Sequence, residues 1–203
     1  MDRSDLDPDP IAQFRRWLDE AAAAGLDEPA AMTMATATPD GRPSARAVLL
    51  QVVDDRGFVF YTNYGSRKAC ELDANPRAAL VFLWHPLGRQ VCVEGMAARV
   101  SAAESDAYFA SRPREHQLGA WASDQSAVIA SRDALDARYH AAAERYRDQP
   151  VPRPAHWGGF RVVPTAIEFW QSRAGRLHDR LRYRRVAGDG TSIGPWTIER
   201  LAP

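Results

Sequence analysis

The sequence predicts a mainly β protein with flanking helices, an α+β fold in which an antiparallel meander closes into a small barrel. Three observations support this. Stretches between Ala31 and Val100 read as strands in succession, with no long helix between them, as a meander requires. Within Ala45 to Val53, the residues Val48, Leu50 and Val52 alternate with Ala47, Leu49 and Gln51, the period of a half-buried strand. Turn chemistry punctuates the stretches at Pro39-Asp40-Gly41, Asp54-Asp55-Arg56-Gly57 and His85-Pro86-Leu87-Gly88. A barrel of about six to eight strands is expected.

Taken in order, Asp9 caps a first helix, Pro10 fits its first position and Gly25 ends it, so residues 1–28 form a helical segment. Ile11, Phe14 and Leu18 make its apolar stripe, with Trp17 close by. Ala31 to Thr38 is a strand, and the Ala45 strand is expected to pair with Phe58 to Tyr61 as a hairpin. Ser66 caps a helix that Asn75-Pro76 stops. Ala79 to Trp84 and Gln90 to Val100 follow as strands, and Ser101-Ala-Ala-Glu104 is a capping-box pattern opening a helix that ends before Pro113. Gln117 to Ser126 has no regular period, and Asp133 to Arg147 is helical. Pro150, Pro152 and Pro154 stiffen the connection to Phe160–Trp170, Leu177–Val186 and Trp196–Leu201, three further strands.

A chain of 203 residues is expected to form one domain, 1–203, with 171–203 as its completing C-terminal strands. Lys and Arg (26) balance Asp and Glu (26), so no bulk field draws the protein to nucleic acid or an acidic membrane. Cys70 and Cys92 lie in separate elements, and His85, His116, His140, His156 and His178 show no zinc-type spacing. A reduced, cytoplasmic protein without a metal is the expectation. The N-terminus does not resemble a signal peptide, and no apolar run approaches membrane-spanning length.

Two stretches could carry chemistry. Arg46, Arg67 and Lys68, beside the start of the Ser66 helix, suggest a phosphate site, because free helix N–H groups favour an anion. Solvated surface charge is the simpler reading of these three residues alone. In Arg176-Leu177-His178-Asp179-Arg180, a strand would place Arg176, His178 and Arg180 on one face. That face could hold an anion or an electron-rich ring, or it could be a charge-protected edge strand. There is no P-loop, no GxGxxG and no nucleophile elbow. Any chemistry would therefore belong to a bound cofactor that the protein positions.

Eight ordered motifs now bear on the question: RAVLL (46–50), FYTNYGSRKA (60–69), RQVCVEG (89–95), SRPREHQLGAWASDQS (111–126), HWGGFRV (156–162), IEFWQ (167–171), RLHDR (176–180) and RLAP (200–203). Through them the chain resembles the pyridoxine/pyridoxamine 5′-phosphate oxidase family over nearly its whole length. The resemblance implies an antiparallel FMN-binding split β-barrel and a homodimer with FMN in the subunit interface. It implies that Arg46, Arg67 and Lys68 hold the flavin phosphate, and that Ala47, Val48, Leu49, Tyr61, Thr62 and Gln90 line the flavin. Gln125, Ser126, Trp170 and Arg180 complete the cofactor set, some from the second subunit. Gln51, Tyr108, Arg112, His116, Arg176 and His178 fall on the substrate side, with Arg176 and His178 over the ring that gives up hydride. Molecular oxygen then reoxidises the flavin and yields peroxide.

Three departures fall on substrate contacts. Gln51 stands where the family's RxVLLK has a lysine on the substrate phosphate, and His116 where a serine is common. The family's N-terminal Arg and Tyr, which fold over the substrate, precede the start of this chain. Losing a full charge weakens a charge-assisted bond by about half. The pattern ranks an oxidase of the phenazine-biosynthesis branch, acting on a dihydrophenazine-type compound, ahead of a pyridoxine/pyridoxamine 5′-phosphate oxidase. A non-catalytic flavin-binding barrel is third.

Overall fold

A computed structural model of the chain describes residues 1–186 and 194–203. Helix α1 (Pro10–Ala23) begins as its sequence demands: the Asp9 side chain accepts the Ile11 amide, and Pro10 occupies the first position. Four further helices follow, α2 (Arg67–Ala74), α3 (Ala102–Ser111), α4 (Arg114–Ala122) and α5 (Arg132–Arg145). The strands are β1 (Ala31–Ala37), β2 (Pro43–Leu49), β3 (Val52–Asp54), β4 (Gly57–Asn63), β5 (Arg77–Trp84), β6 (Arg89–Arg99), β7 (Trp157–Gln171), β8 (Asp179–Arg185) and β9 (Trp196–Leu201). They form one antiparallel sheet in the order β2-β1-β5-β6-β7-β4-β3, with β8 and β9 added beyond β7.

The two ends of that path, β2 and β3, are separated in sequence only by Leu50 and Gln51. The sheet must therefore curl until its edges meet, and the corner is held by backbone bonds from Leu50 to Ala30 and from Gln51 to Val59, both 2.9 Å. This corrects the hairpin expected from the sequence. The alternation at Val48, Leu50 and Val52 belongs to two strands, of which β2 pairs with β1 and only Val52–Asp54 pairs with β4. Leu50 turns into the core where the chain changes partner, and Val52 is left 40% exposed. Among the described residues nine strands replace the expected six to eight because of this split.

Strand β7 organises the rest. Its first half, Trp157 to Val162, pairs with β4, and its second half, Ala166 to Gln171, pairs with β8. Between them Thr165 is an extra residue opposite the Glu94/Gly95 step of β6, a bulge beside Pro164, whose missing N–H suits such a break. The sheet forks there. Helix α1 packs inside the curl, with Phe14 edge-on to Phe58 and Phe82 at 4.9 and 4.8 Å and Trp17 against Phe169. A smaller cluster, including Phe109, Leu118, Tyr146 and Trp157, seats α3, α4 and α5 on the start of β7.

Two further sequence expectations change. The segment around Gln117, without period in the sequence, is helix α4, which buries only Leu118 and Ala122. Strand β8 begins at Asp179, so Arg176 and His178 are not strand residues and do not share a face with Arg180. Arg176 lies in a tight turn with φ +62, next to Gly175 at φ +64. Of the C-terminal segment 171–203, positions 187–193 lie outside the described residues.

Candidate functional site

A cleft of about 850 Å³ opens where β2, β4, α2, α3 and α4 converge. Strand β2 and its corner contribute Arg46, Ala47, Val48, Leu49 and Gln51; β4 contributes Tyr61 and Thr62; α2 contributes Lys68. Tyr108, Arg112 and His116 come from α3 and the start of α4, and Gln125 from the loop after it. Twelve residues singled out in the sequence are thus gathered at one place. Arg67 and Ser126 stand at its margin, where the Arg67 amide donates to Ser126 Oγ at 3.2 Å.

The chemistry centres on Lys68, which is 9% exposed. Its ammonium donates to Gln125 Oε1 at 3.1 Å, Thr62 Oγ1 at 3.2 Å and Ser66 Oγ at 3.5 Å, all neutral oxygens. Burial, and then the nearby Arg46 charge, lower its pKa. Ser66 occupies the helix N-cap position, but its side chain makes no capping bond and turns to Thr62 and Lys68 instead. The polar groups of this corner are thus spent on one buried cation.

Arg46 is held differently. Its guanidinium donates to Thr36 Oγ1 at 2.7 Å, to the Met34 carbonyl, to Ser44 Oγ and to Glu71 Oε2 at 3.2 Å. Glu71 also accepts from Arg67 Nε at 2.8 Å. Burial alone would raise the Glu71 carboxyl, but the bonds from Ser44, Thr36, Arg67 and Arg46 outweigh it and pull the pKa down to about 2. Neither Glu71 nor Thr36 was singled out from the sequence. The four-residue spacing of Arg67 and Glu71 on a helix was the available signal.

The same cleft holds a cluster of parallel aromatic rings. Tyr61 and Tyr108 are 3.9 Å apart and nearly parallel, and Trp157 lies parallel to both at 5.5 Å from Tyr61 and 6.2 Å from Tyr108. The stack needs Gly159 opposite Tyr61, since a Cβ there would come within 2.8 Å of the tyrosine ring. Arg112 lies over Trp157 at 4.6 Å, and its Nη1 is buried with no hydrogen-bond partner. Trp157, Asn63, Glu115 and Ser123 also line the cleft without having been singled out. His116 Nε2 lies 3.7 Å from Glu115.

The remaining sequence candidates form a second group. Gln90, Trp170 and Arg180 sit side by side in register across β6, β7 and β8. Arg180 makes a two-pronged pair with Glu168, at 2.7 and 3.0 Å. The His178 ring packs on Trp170 at 4.6 Å, and Arg176 is exposed. This group is at the far end of β7 from the cleft. Thr62 pairs with Gly158, and Trp170 is twelve residues further on, roughly 40 Å along a straight strand.

Fold and cleft together define a split-barrel protein with a cation-lined, aromatic cleft suited to a phosphate-bearing planar ligand. Comparison with known proteins narrows this. Residues 18–146 match the model of the family described as pyridoxamine 5′-phosphate oxidase, and residues 157–203 that of the pyridoxine 5′-phosphate oxidase C-terminal dimerisation region. The chain belongs to the pyridoxamine 5′-phosphate oxidase family. It is 59% identical over 203 residues to a pyridoxine/pyridoxamine 5′-phosphate oxidase of Burkholderia orbicola, covering all of this chain and 93% of that one. A protein of the same name from Rubrobacter xylanophilus is 61% identical, with 97% and 88% covered. Among solved structures, PhzG of Burkholderia lata in complex with tetrahydrophenazine-1-carboxylic acid is similar, with a TM-score of 0.91 at 34% identity, covering 98% and 95%. Among the described residues no helix is long and apolar enough to cross a membrane.

Proposed function

We propose that the protein is an FMN-dependent oxidase acting as a homodimer in the cytoplasm, with one domain over 1–203. The observation that carries this is Lys68, a buried ammonium with only neutral partners in the wall of a cleft that Arg46 also lines. A phosphate is the missing counter-charge, and FMN supplies a phosphate and a planar ring for the adjoining wall. Arg46, Lys68 and the Arg67/Ser126 margin take the phosphate; Ala47, Val48, Leu49, Tyr61, Thr62 and Gln125 line the cofactor. Gln90, Trp170 and Arg180, with Arg176 and His178, complete the site from the second copy of the chain. Held by these residues, FMN would supply a hydride acceptor for the substrate and a route for the electrons to oxygen.

For the substrate we favour pyridoxine or pyridoxamine 5′-phosphate, supported by near-60% identity over the full chain to oxidases of that name. The unpaired Nη1 of Arg112 is the natural receiver of the substrate's anionic group, with Tyr108 and His116 beside it. A second reading, a dihydrophenazine carboxylate, draws on Gln51 in the cleft wall and on the likeness to PhzG. Stopped-flow bleaching of the flavin without oxygen separates them. Pyridoxine 5′-phosphate at micromolar concentration is expected to reduce it rapidly and saturably. Gln51→Lys should tighten its apparent affinity by about tenfold, from a charge-assisted bond of ~1–2 kcal/mol. Faster reduction by the dihydrophenazine, with sluggish reduction by the phosphate ester, would select the second reading.

A further inference from the structure

Arg161 is a charged residue in the buried first half of β7. Every position from Trp157 to Val162 is buried, and Arg161, 8% exposed, stands in register with Val59 of β4 and Ala98 of β6. Its guanidinium donates to Asp54 at the end of β3 and, at 3.1 Å, to Glu104 in the first turn of α3. Arg56 donates to the same two carboxylates, each at 2.9 Å. Two cations and two anions thus tie the β3–β4 turn, β7 and α3 together. Bonds from Ser101, and then Arg56, hold the Glu104 carboxyl down at about 2, so the cluster stays charged near neutral pH.

Glu104 begins a stripe along α3. Tyr108 is one turn further on the same face and Arg112 about two turns, at the C-terminal end of the helix. Both line the cleft: Tyr108 stacks on Tyr61, and Arg112 lies over Trp157 with its Nη1 buried and unbonded. Other bonds to this helix are longer or more exposed. The Gly159 amide donates to Ser105 Oγ at 3.3 Å, the Tyr61 hydroxyl reaches the Glu104 carbonyl at 3.5 Å, and Arg153 pairs with exposed Asp106.

A buried ion pair adds little net stability, because desolvation offsets the attraction; its best-attested use is to fix register. We infer that Arg161 is a positioning residue: through Glu104 it sets the placement of α3, and so of Tyr108 and Arg112 in the cleft wall. The inference rests on the proposed substrate contact of those two residues.

Two measurements on the FMN-loaded protein test this. Arg161→Met leaves Asp54 and Glu104 paired with Arg56, so the fold is expected to survive with little change in melting temperature. Its near-UV circular dichroism should lose part of the band that Tyr108→Leu also removes; an unchanged band overturns the inference. That readout does not depend on which compound reduces the flavin, so its failure is distinct from failure of the substrate reading. With pyridoxine 5′-phosphate, anaerobic flavin reduction by Arg161→Met should half-saturate at about tenfold higher concentration with the limiting rate little changed, the mark of lost binding. Glu104→Gln keeps an acceptor for Ser101 and should shift half-saturation the same way, carrying the test if Arg161→Met does not fold. No shift in Glu104→Gln would break the route through α3. A Tyr108→Leu/Arg112→Ala chain has nothing left to position, so adding Arg161→Met should change its second-order reduction rate by less than about twofold. A tenfold loss in that background too, or a lowered melting temperature with unchanged half-saturation, would make Arg161 merely structural.

Discussion

On the proposed reading, Lys68 is unfavourable for the fold by itself and favourable for the ligand. An ammonium 9% exposed and bonded only to Thr62, Ser66 and Gln125 bears a desolvation penalty that no opposite charge repays. Replacing it by an apolar side chain of similar length removes that penalty along with the proposed phosphate contact. The expected outcome for Lys68→Met is an apo protein at least as heat-stable as the parent, with FMN bound at least tenfold more weakly. The second figure follows from a charge-assisted bond of ~1.5–3 kcal/mol. Thermal melts and flavin-fluorescence titration measure the two halves. A destabilised apo protein with unchanged FMN affinity would make Lys68 structural. Arg46→Ala should behave otherwise and lower both, because it strips a partner from buried Glu71.

Among the elements, α2 is tied to β1 and β2 by that same carboxylate. Glu71 accepts from Thr36 on β1 and from Ser44 and Arg46 on β2. Its folded pKa of about 2 lies below the 4.5 of a free glutamate, so the folded state holds fewer protons than the unfolded one across that interval. The stabilisation is therefore complete above about pH 4.5 and lost as the pH falls toward 2. Urea unfolding from pH 6 to pH 3 should show Glu71→Gln well below the parent at pH 6, with the gap closing on acidification. A gap that does not depend on pH would mean shape, not charge, is what Glu71 contributes. Other elements differ in how readable they were. The capping box of α3 was plain because both of its bonds are local, Glu104 N–H to Ser101 and back. Helix α4 was not, because it buries only Leu118 and Ala122 and spends its other positions on the cleft and on solvent.

At the scale of the molecule, the fork in β7 sends the cleft one way and the Trp170, His178 and Arg180 group the other. If both belong to one site, two chains must build it, as the match of 157–203 to a dimerisation region supports. Mixing subunits tests this directly. On the proposed assignment, Lys68→Met chains lose the phosphate contact and Arg176→Ala chains the substrate contact, so each homodimer should be poorly active at limiting FMN. Random reassortment makes half the dimers mixed, and one of their two sites is intact, giving about a quarter of parental turnover. No recovery after verified exchange would place all the functional residues of a site in one chain and sink the shared-site proposal.

The sequence by itself determined the β-rich class, α1 with its Asp9 cap and Pro10 start, the α3 capping box and the family, because these reside in local bonds and ordered motifs. Through the ordered motifs and the family they mark, it also names most of the cleft lining, including Arg46, Lys68, Tyr61, Tyr108 and Gln125. Only the tertiary structure decided that the Val48 to Val52 alternation spans two strands, since a period of two reports a face and not a partner. Only it revealed Glu71 as the holder of Arg46, a contact between residues 25 apart in the chain. And it alone placed His178 in a turn, where the Arg173 amide donates to its Nδ1 from 5 residues away, a contact that a side-chain pattern cannot express.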